Sequence, residues 1–111
     1  MIKTISKLEL EGRFDAYQAQ GTKVWLKEEV EKMSSQGIKA NVLVDMSNVT
    51  FIDSAGLSAL VVGIKKAREH GGTLHLFGLQ QAVQIIFELS WLDKAFPIFK
   101  TEEEATNAFS S

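Results

Sequence analysis

Residues 2 to 14 alternate. Ile2, Thr4, Ser6, Leu8, Leu10, Gly12 and Phe14 share one parity, and Lys3, Lys7, Glu9, Glu11 and Arg13 fall mostly on the other. A period of two predicts half-buried strand, as one bent strand or a hairpin. From Tyr17 to Met33 the apolar positions become Ala19, Thr22, Leu26, Val30 and Met33, with Lys27, Glu28, Glu29, Glu31 and Lys32 outside, which is helical spacing. Gly37 is placed to cap this helix. Gly21 within it costs about 1 kcal/mol relative to Ala and predicts irregular or closely packed first turns. Asn41 to Met46 is apolar and β-branched enough for a strand buried on both faces. After Ser54, the positions Leu57, Leu60, Val61, Ile64 and Ala67 predict an amphipathic helix ending near Gly71 and Gly72. Thr73 to Leu79 reads as a further buried strand, and Gln81 to Leu92 as a helix burying Val83, Ile86, Phe87 and Leu89 or Ser90. Pro97 limits Phe96 to Lys100 to an edge or a strand start, because proline donates no ladder hydrogen bond. Thr101 to Glu104 matches a capping box, so a last helix carrying Ala105, Ala108 and Phe109 begins there.

Strand and helix alternate throughout, which predicts an α/β fold in a single domain over residues 1–111. The sheet is small, mainly parallel or mixed, with four to five strands covered by about four helices. In such sheets the functional loops lie at the carboxyl ends of strands. Here those are Asn48 to Ser54 and, if the first strand is parallel to its neighbour, Gly12 to Asp15.

Composition narrows the function. Forty-five per cent of residues are hydrophobic and 23% charged, an ordinary globular balance for 111 residues. The net charge is −2, and Lys and Glu are interspersed, so there is no basic stripe for a nucleic acid. Cysteine is absent, which excludes disulfides and thiolate chemistry and fits a reducing compartment. Met1 is followed by charged residues instead of an apolar signal core, and no apolar run is long enough to span a membrane. The expectation is a cytoplasmic protein without membrane insertion.

The candidate chemistry gathers in Asn48-Val-Thr-Phe-Ile-Asp-Ser-Ala-Gly-Leu-Ser-Ala-Leu60. Asp53 and Ser54 are both good helix N-caps, and Gly56 permits close backbone approach, so capping alone accounts for them. Alternatively, Ser54 accepts a phosphate, which the free N–H groups and dipole of a helix start would tolerate. A charge of about −1.5 to −2 beside Asp53 would then act on a docked partner instead of the fold.

This stretch resembles the signature of STAS domains, the family of bacterial anti-sigma factor antagonists and of the domains at the ends of sulfate transporters. Leu10-Glu-Gly-Arg-Phe-Asp15 is similar to its early Gly-x-x-Asp element, Val42-Leu-Val-Asp45 to its central strand and Leu74-His-Leu-Phe-Gly-Leu79 to its later strand. The resemblance implies partner switching: the unphosphorylated antagonist binds an anti-sigma factor that is itself a serine kinase, and so frees the sigma factor. The kinase then phosphorylates the serine at the position of Ser54, and a serine phosphatase restores it. The chain would be substrate and binder, not an enzyme. Asp15, Thr50, Asp53, Gly56 and Ser58 map around the acceptor as partner-binding positions. For Asp15, a solvated turn or N-cap is an equal reading, and Ser58 also reads as a solvent-facing or packing serine. Ala55 replaces a common second serine, and Ser58 stands where a glycine or another small residue is common.

No cofactor or metal is expected. His70 and His75 have no spaced partner of metal-ligand type, Ser54 lies in no nucleophile-elbow pattern, and the glycines form no phosphate-binding loop. Trp25 and Trp91, with Phe87, Phe96, Phe99 and Phe109, read as packing aromatics, an exposed one being an anchor for a protein partner. Two other readings remain: a STAS scaffold subunit of a stress-signalling or transport assembly without phosphorylation, and a small-ligand or lipid-binding module.

Overall fold

The computed structural model describes residues 4–109. Its elements are β1 (Ser6–Phe14), α1 (Ala16–Ser35), β2 (Val42–Ile52), α2 (Ser54–Glu69), β3 (Leu74–Phe77), α3 (Gln81–Leu89), a 3-10 turn (Leu92–Lys94), β4 (Ile98–Phe99) and α4 (Glu102–Asn107). The strands lie in chain order, β1-β2-β3-β4, and every neighbouring pair is parallel. The expected four to five strands and about four helices resolve to four parallel strands and four α-helices. The alternating N-terminal stretch is one strand, not a hairpin. Ile2 and Lys3 lie outside the described residues.

Crossovers of one hand, each stepping to the next strand, put their helices on one face of the sheet. Leu26 of α1, Leu60 of α2 and Val83 and Phe87 of α3 accordingly share a core with Leu10, Phe14, Val42, Val44, Leu74 and Leu76. α4 follows the last strand and covers the opposite face, where Ala105 and Phe109 pack with Leu43 and Phe77. β2 and β3 are thus buried on both sides at their centre, which explains their unbroken apolar runs.

β2 runs six residues beyond the expected Met46, to Ile52. Its register against β1 slips twice: Glu9 pairs with Asp45 but Glu11 with Asn48, and Gly12 pairs with Val49 but Arg13 with Phe51. Each slip adds one residue to β2, a β-bulge. The positions buried on the face under α1, α2 and α3 therefore read Val42, Val44, Met46, Val49, Ile52, which has neither strand nor helix period. Asp45 holds the first bulge, its carboxylate accepting from the Ser47 N–H at 2.9 Å and the Ser47 hydroxyl at 2.6 Å.

Gly37 and Gly71 end α1 and α2 in the left-handed conformation, with φ of 71° and 80°. Ile38 N–H reaches back to the Met33 carbonyl at 2.9 Å and Gly72 N–H to Ala67 at 3.0 Å, so each end is a Schellman turn. α3 stops at Leu89, short of the expected Leu92, because Trp91 adopts a left-handed φ of 64°. Leu89 and Ser90 are exposed instead of buried, and Trp91 is 74% exposed. Pro97 immediately precedes the two-residue edge strand β4. Thr101 caps α4 by accepting from the Glu104 N–H at 3.2 Å; its hydroxyl also donates to the Glu104 carboxylate at 3.1 Å.

His75 on β3 is buried under α4, 4% exposed, stacked on Phe109 with centroids 3.8 Å apart. Its Nδ1 lies 2.8 Å from the Ala105 carbonyl, so the neutral ring donates there. Burial pushes its pKa below the usual 6.5, a shift that the backbone hydrogen bond only partly offsets. The native state thus prefers the neutral ring, and the unfolded chain binds the proton first as pH falls. Stability from this site is fully present above pH of about 6.5 and is lost as pH falls toward the folded pKa. Urea midpoints taken from pH 7.5 to 5.5 should fall more steeply for the wild type than for His75→Asn, which keeps a donor but does not titrate.

Two glycines predict substitutions of opposite sign. Around Gly21 nothing would meet an added Cβ, and α1 passes through it without a break, contrary to the expected irregularity. Gly21→Ala should therefore raise the unfolding free energy by about 0.5–1 kcal/mol. A Cβ on Gly56 would overlap the Phe14 carbonyl oxygen of β1 and lie 2.9 Å from Ile52 Cγ1. Because a backbone atom must give way, Gly56→Ala should cost roughly 2 kcal/mol or more in the same denaturation measurement.

Candidate functional site

β1 and β2 end together, Phe14 opposite Ile52, and the next residue in each segment is an aspartate. Both aspartates are extended N-caps: the Asp15 carboxylate accepts from the Tyr17 N–H at 3.1 Å and the Asp53 carboxylate from the Gly56 N–H at 2.9 Å. The capping reading holds for both. Two helix starts, each the positive end of a macrodipole, thus stand side by side at the carboxyl edge of the sheet.

Ser54 is the first residue of α2 after its cap, and it is exposed. Asp53 does the capping, and the Ser54 hydroxyl makes no hydrogen bond to any described residue. The Ser54 and Ala55 N–H groups have no acceptor within the helix, as at any helix start. Ser58, one turn further on the same face, is exposed as well. Thr50 is exposed but belongs to β2 and not to a loop. Gly56 is buried, and its part is to let α2 settle on the end of β1. Asp15, Asp53 and Ser54 are therefore gathered by the strand ends, Ser58 by the helix repeat, and Gly56 lies beneath them.

Three exposed residues here were not singled out from sequence. Tyr17, in the first turn of α1, is 96% exposed. The Arg13 guanidinium sits 4.2 Å from the ring centroid of Phe51 on the adjacent strand, and its Nε lies 3.8 Å from the Asp15 carboxylate. The alternation of β1 does put Arg13 on the polar side, but its pairing with Phe51 depends on the second bulge. Glu11, Gly12, Tyr17, Gln18 and Asn48 line a shallow depression beside these groups.

The surface holds Asp15, Asp53 and Glu11 against one guanidinium, so it is not a cradle for a free anion. Neither histidine lies at it. The His70 Nδ1 is 2.9 Å from the Ser34 hydroxyl at the far end of α2, and His75 is buried under α4. Among the described residues no group of three His, Cys, Asp or Glu side chains could hold a metal ion, and no helix is long and apolar enough to cross a membrane.

Known proteins share this fold. The anti-sigma-B factor antagonist of Listeria monocytogenes is 30% identical over 95 residues, covering 84% of this chain and 77% of that one. The candidate anti-sigma factor antagonist BtrV of Bordetella bronchiseptica is 33% identical over 70 residues, 63% of this chain but only 60% of its own length. An anti-sigma factor antagonist from Mycobacterium paratuberculosis superposes with a TM-score of 0.73 at 25% identity, covering 94% of this chain and 84% of its own. The Bacillus cell fate determinant SpoIIAA in its phosphorylated form shares the fold, with a TM-score of 0.65 at 18% identity, over 96% and 91% of the two chains. The STAS domain profile matches residues 2–105, and the chain belongs to the STAS domain family.

Proposed function

We propose that this chain is an anti-sigma factor antagonist that works by partner switching. Unphosphorylated, it binds an anti-sigma factor serine kinase through the surface around Asp15, Thr50, Asp53, Ser54 and Ser58, with Gly56 shaping that surface from below. The kinase transfers the γ-phosphoryl group of ATP to the Ser54 Oγ, whose proton is released, and the complex separates. A serine phosphatase hydrolyses the phosphoester with water and returns the binding form. The chain supplies no catalytic group in either step and acts in the cytoplasm, where ATP and sigma factors are found.

The observation that carries this reading is the free, exposed hydroxyl of Ser54 at a helix start that Asp53 already caps. A phosphate added there takes no partner from the fold. Partially unsatisfied N–H groups and the helix dipole favour it by about 0.3–1 kcal/mol. The names of the relatives and the phosphorylated SpoIIAA, whose fold the chain shares, support the same cycle.

Incubation with ATP and the anti-sigma factor kinase of the same genome should add one phosphate to the wild type by intact mass and none to Ser54→Ala. Equal labelling of both would refute the assignment. Ser54→Asp should bind the kinase at least about tenfold more weakly, a difference of roughly 1.4 kcal/mol, while its thermal unfolding stays close to wild type. Tight association insensitive to both substitutions would replace the cycle with the scaffold reading.

A further inference from the structure

β1 is an outer strand, and its far side has no strand partner among the described residues. The Ser6 N–H donates to the Asn41 carbonyl at 3.0 Å and the Phe14 carbonyl faces the Asp53 N–H at 3.5 Å, so the even-numbered residues turn their backbone groups toward β2. Lys7, Glu9, Glu11 and Arg13 must then present theirs to the outer edge. Gln18 of α1 marks that edge, its side-chain amide donating to the carbonyls of Arg13 and, at 3.5 Å, Glu11. At the other end the Ser6 hydroxyl donates to Glu29 of α1 at 2.9 Å. Between these two clips the N–H groups of Lys7, Glu9 and Glu11 and the carbonyls of Lys7 and Glu9 have no partner among the described residues.

The helices give this edge a roof. α2 rests on β2 and β3, and α1 packs beside α2. Packed helices stand about 8–10 Å apart, roughly two strand spacings of about 4.8 Å, so α1 overhangs the outer edge of β1. The flank that overhangs runs through Gln18, Trp25 and Glu29, which fall within about 40° of one another at 100° per residue. Trp25 and Leu8 are only partly buried there, against the main core. On the opposite face Glu9 and Glu11 are exposed; Lys7 lies 3.1 Å from Glu102 and 4.0 Å from Glu9, and Arg13 3.8 Å from Asp15, so the carboxylates of this edge outnumber its cations.

We propose that this lane, one strand wide, is a docking site for an extended segment of a partner protein, added to the sheet as a further parallel or antiparallel strand. Its alternate apolar side chains pack up against Trp25 and Leu8, and the intervening basic ones turn down to Glu9 and Glu11. Charge and shape select this occupant. An acidic strand is repelled, and the β1 of a second copy would bring its own α1 into the space that the first α1 overhangs, where two helix axes cannot come within about 8 Å.

The full chain, labelled with nitrogen-15, is to be titrated with a short synthetic peptide alternating Val and Lys, and with one alternating Val and Glu. The Lys peptide should saturate, shifting the amides of Lys7, Glu9 and Glu11 and the Trp25 indole, and should bind about tenfold or more tightly than the Glu peptide. Glu9→Pro deletes an outward N–H without touching the ladder to β2, so the amide spectrum should persist while affinity falls about tenfold. The pair Glu9→Lys and Glu11→Lys should reverse the peptide preference. Ser54→Ala should bind the peptide as wild type does, which separates this site from the phosphoacceptor reading. No binding, shifts centred elsewhere, or affinity unchanged in Glu9→Pro would overturn the proposal. So would concentration-dependent self-association that protects the same amides without peptide.

Discussion

The contact on which the site depends is that of Gly56 with the carbonyl end of β1. A helix that follows a buried strand must turn back over the sheet, and here its first turn comes down where any Cβ would meet the Phe14 carbonyl oxygen. With only a hydrogen at that position, α2 starts level with α1, and the caps Asp15 and Asp53 lie at neighbouring strand ends. A wider residue would lift α2 and part the two helix starts. The position of the exposed Ser54 is thus set by a buried contact.

The second constraint is the pair of bulges in β2. With only one of them, Phe51 and Ile52 would exchange faces, since one residue of slip inverts a strand's pattern and the second slip restores it. With both, Ile52 enters the core beneath Gly56, and Phe51 turns outward to carry the Arg13 guanidinium. Bulges commonly re-aim side chains beside functional sites, and the second of these does so within four residues of Ser54.

This accounts for what was legible in the sequence. β1, α1 and the Asp53 cap follow strict local rules, a period of two, a period near 3.6 and a carboxylate before a helix, and each could be read directly. The glycines at 37 and 71 announced their helix ends because only they take a positive φ at little cost. By contrast, the far half of β2 was hidden, because burial at Val44, Met46, Val49 and Ile52 matches no single period. The end of α3 was hidden for another reason: Trp91 has no preference for the left-handed conformation it adopts, so nothing local foretold the stop. Tyr17 and Phe51 escaped notice because an aromatic in an amphipathic pattern reads as core until exposure is known. The family resemblance marks Ser54 as a candidate acceptor, but the division of labour between a capping Asp53 and a free Ser54 is set by how the strand ends meet the helix starts.

That division bears on how a small modification can act strongly. On the free protein the phosphate would be solvated, and its repulsion from Asp53 and Asp15 weakened by water and by salt over a screening length of about 8 Å. The helix dipole offsets part of what remains. Once a partner covers the surface, water leaves and the effective dielectric falls from about 80 toward 20, so each charge interaction grows roughly fourfold. Asp15 and Asp53 keep their positions because their helices hold them, and the added charge can neither relax away nor stay hydrated. On the proposed cycle, the same group that the isolated fold would accept would therefore become costly only inside a complex, and the fold would not need to change shape for the complex to part.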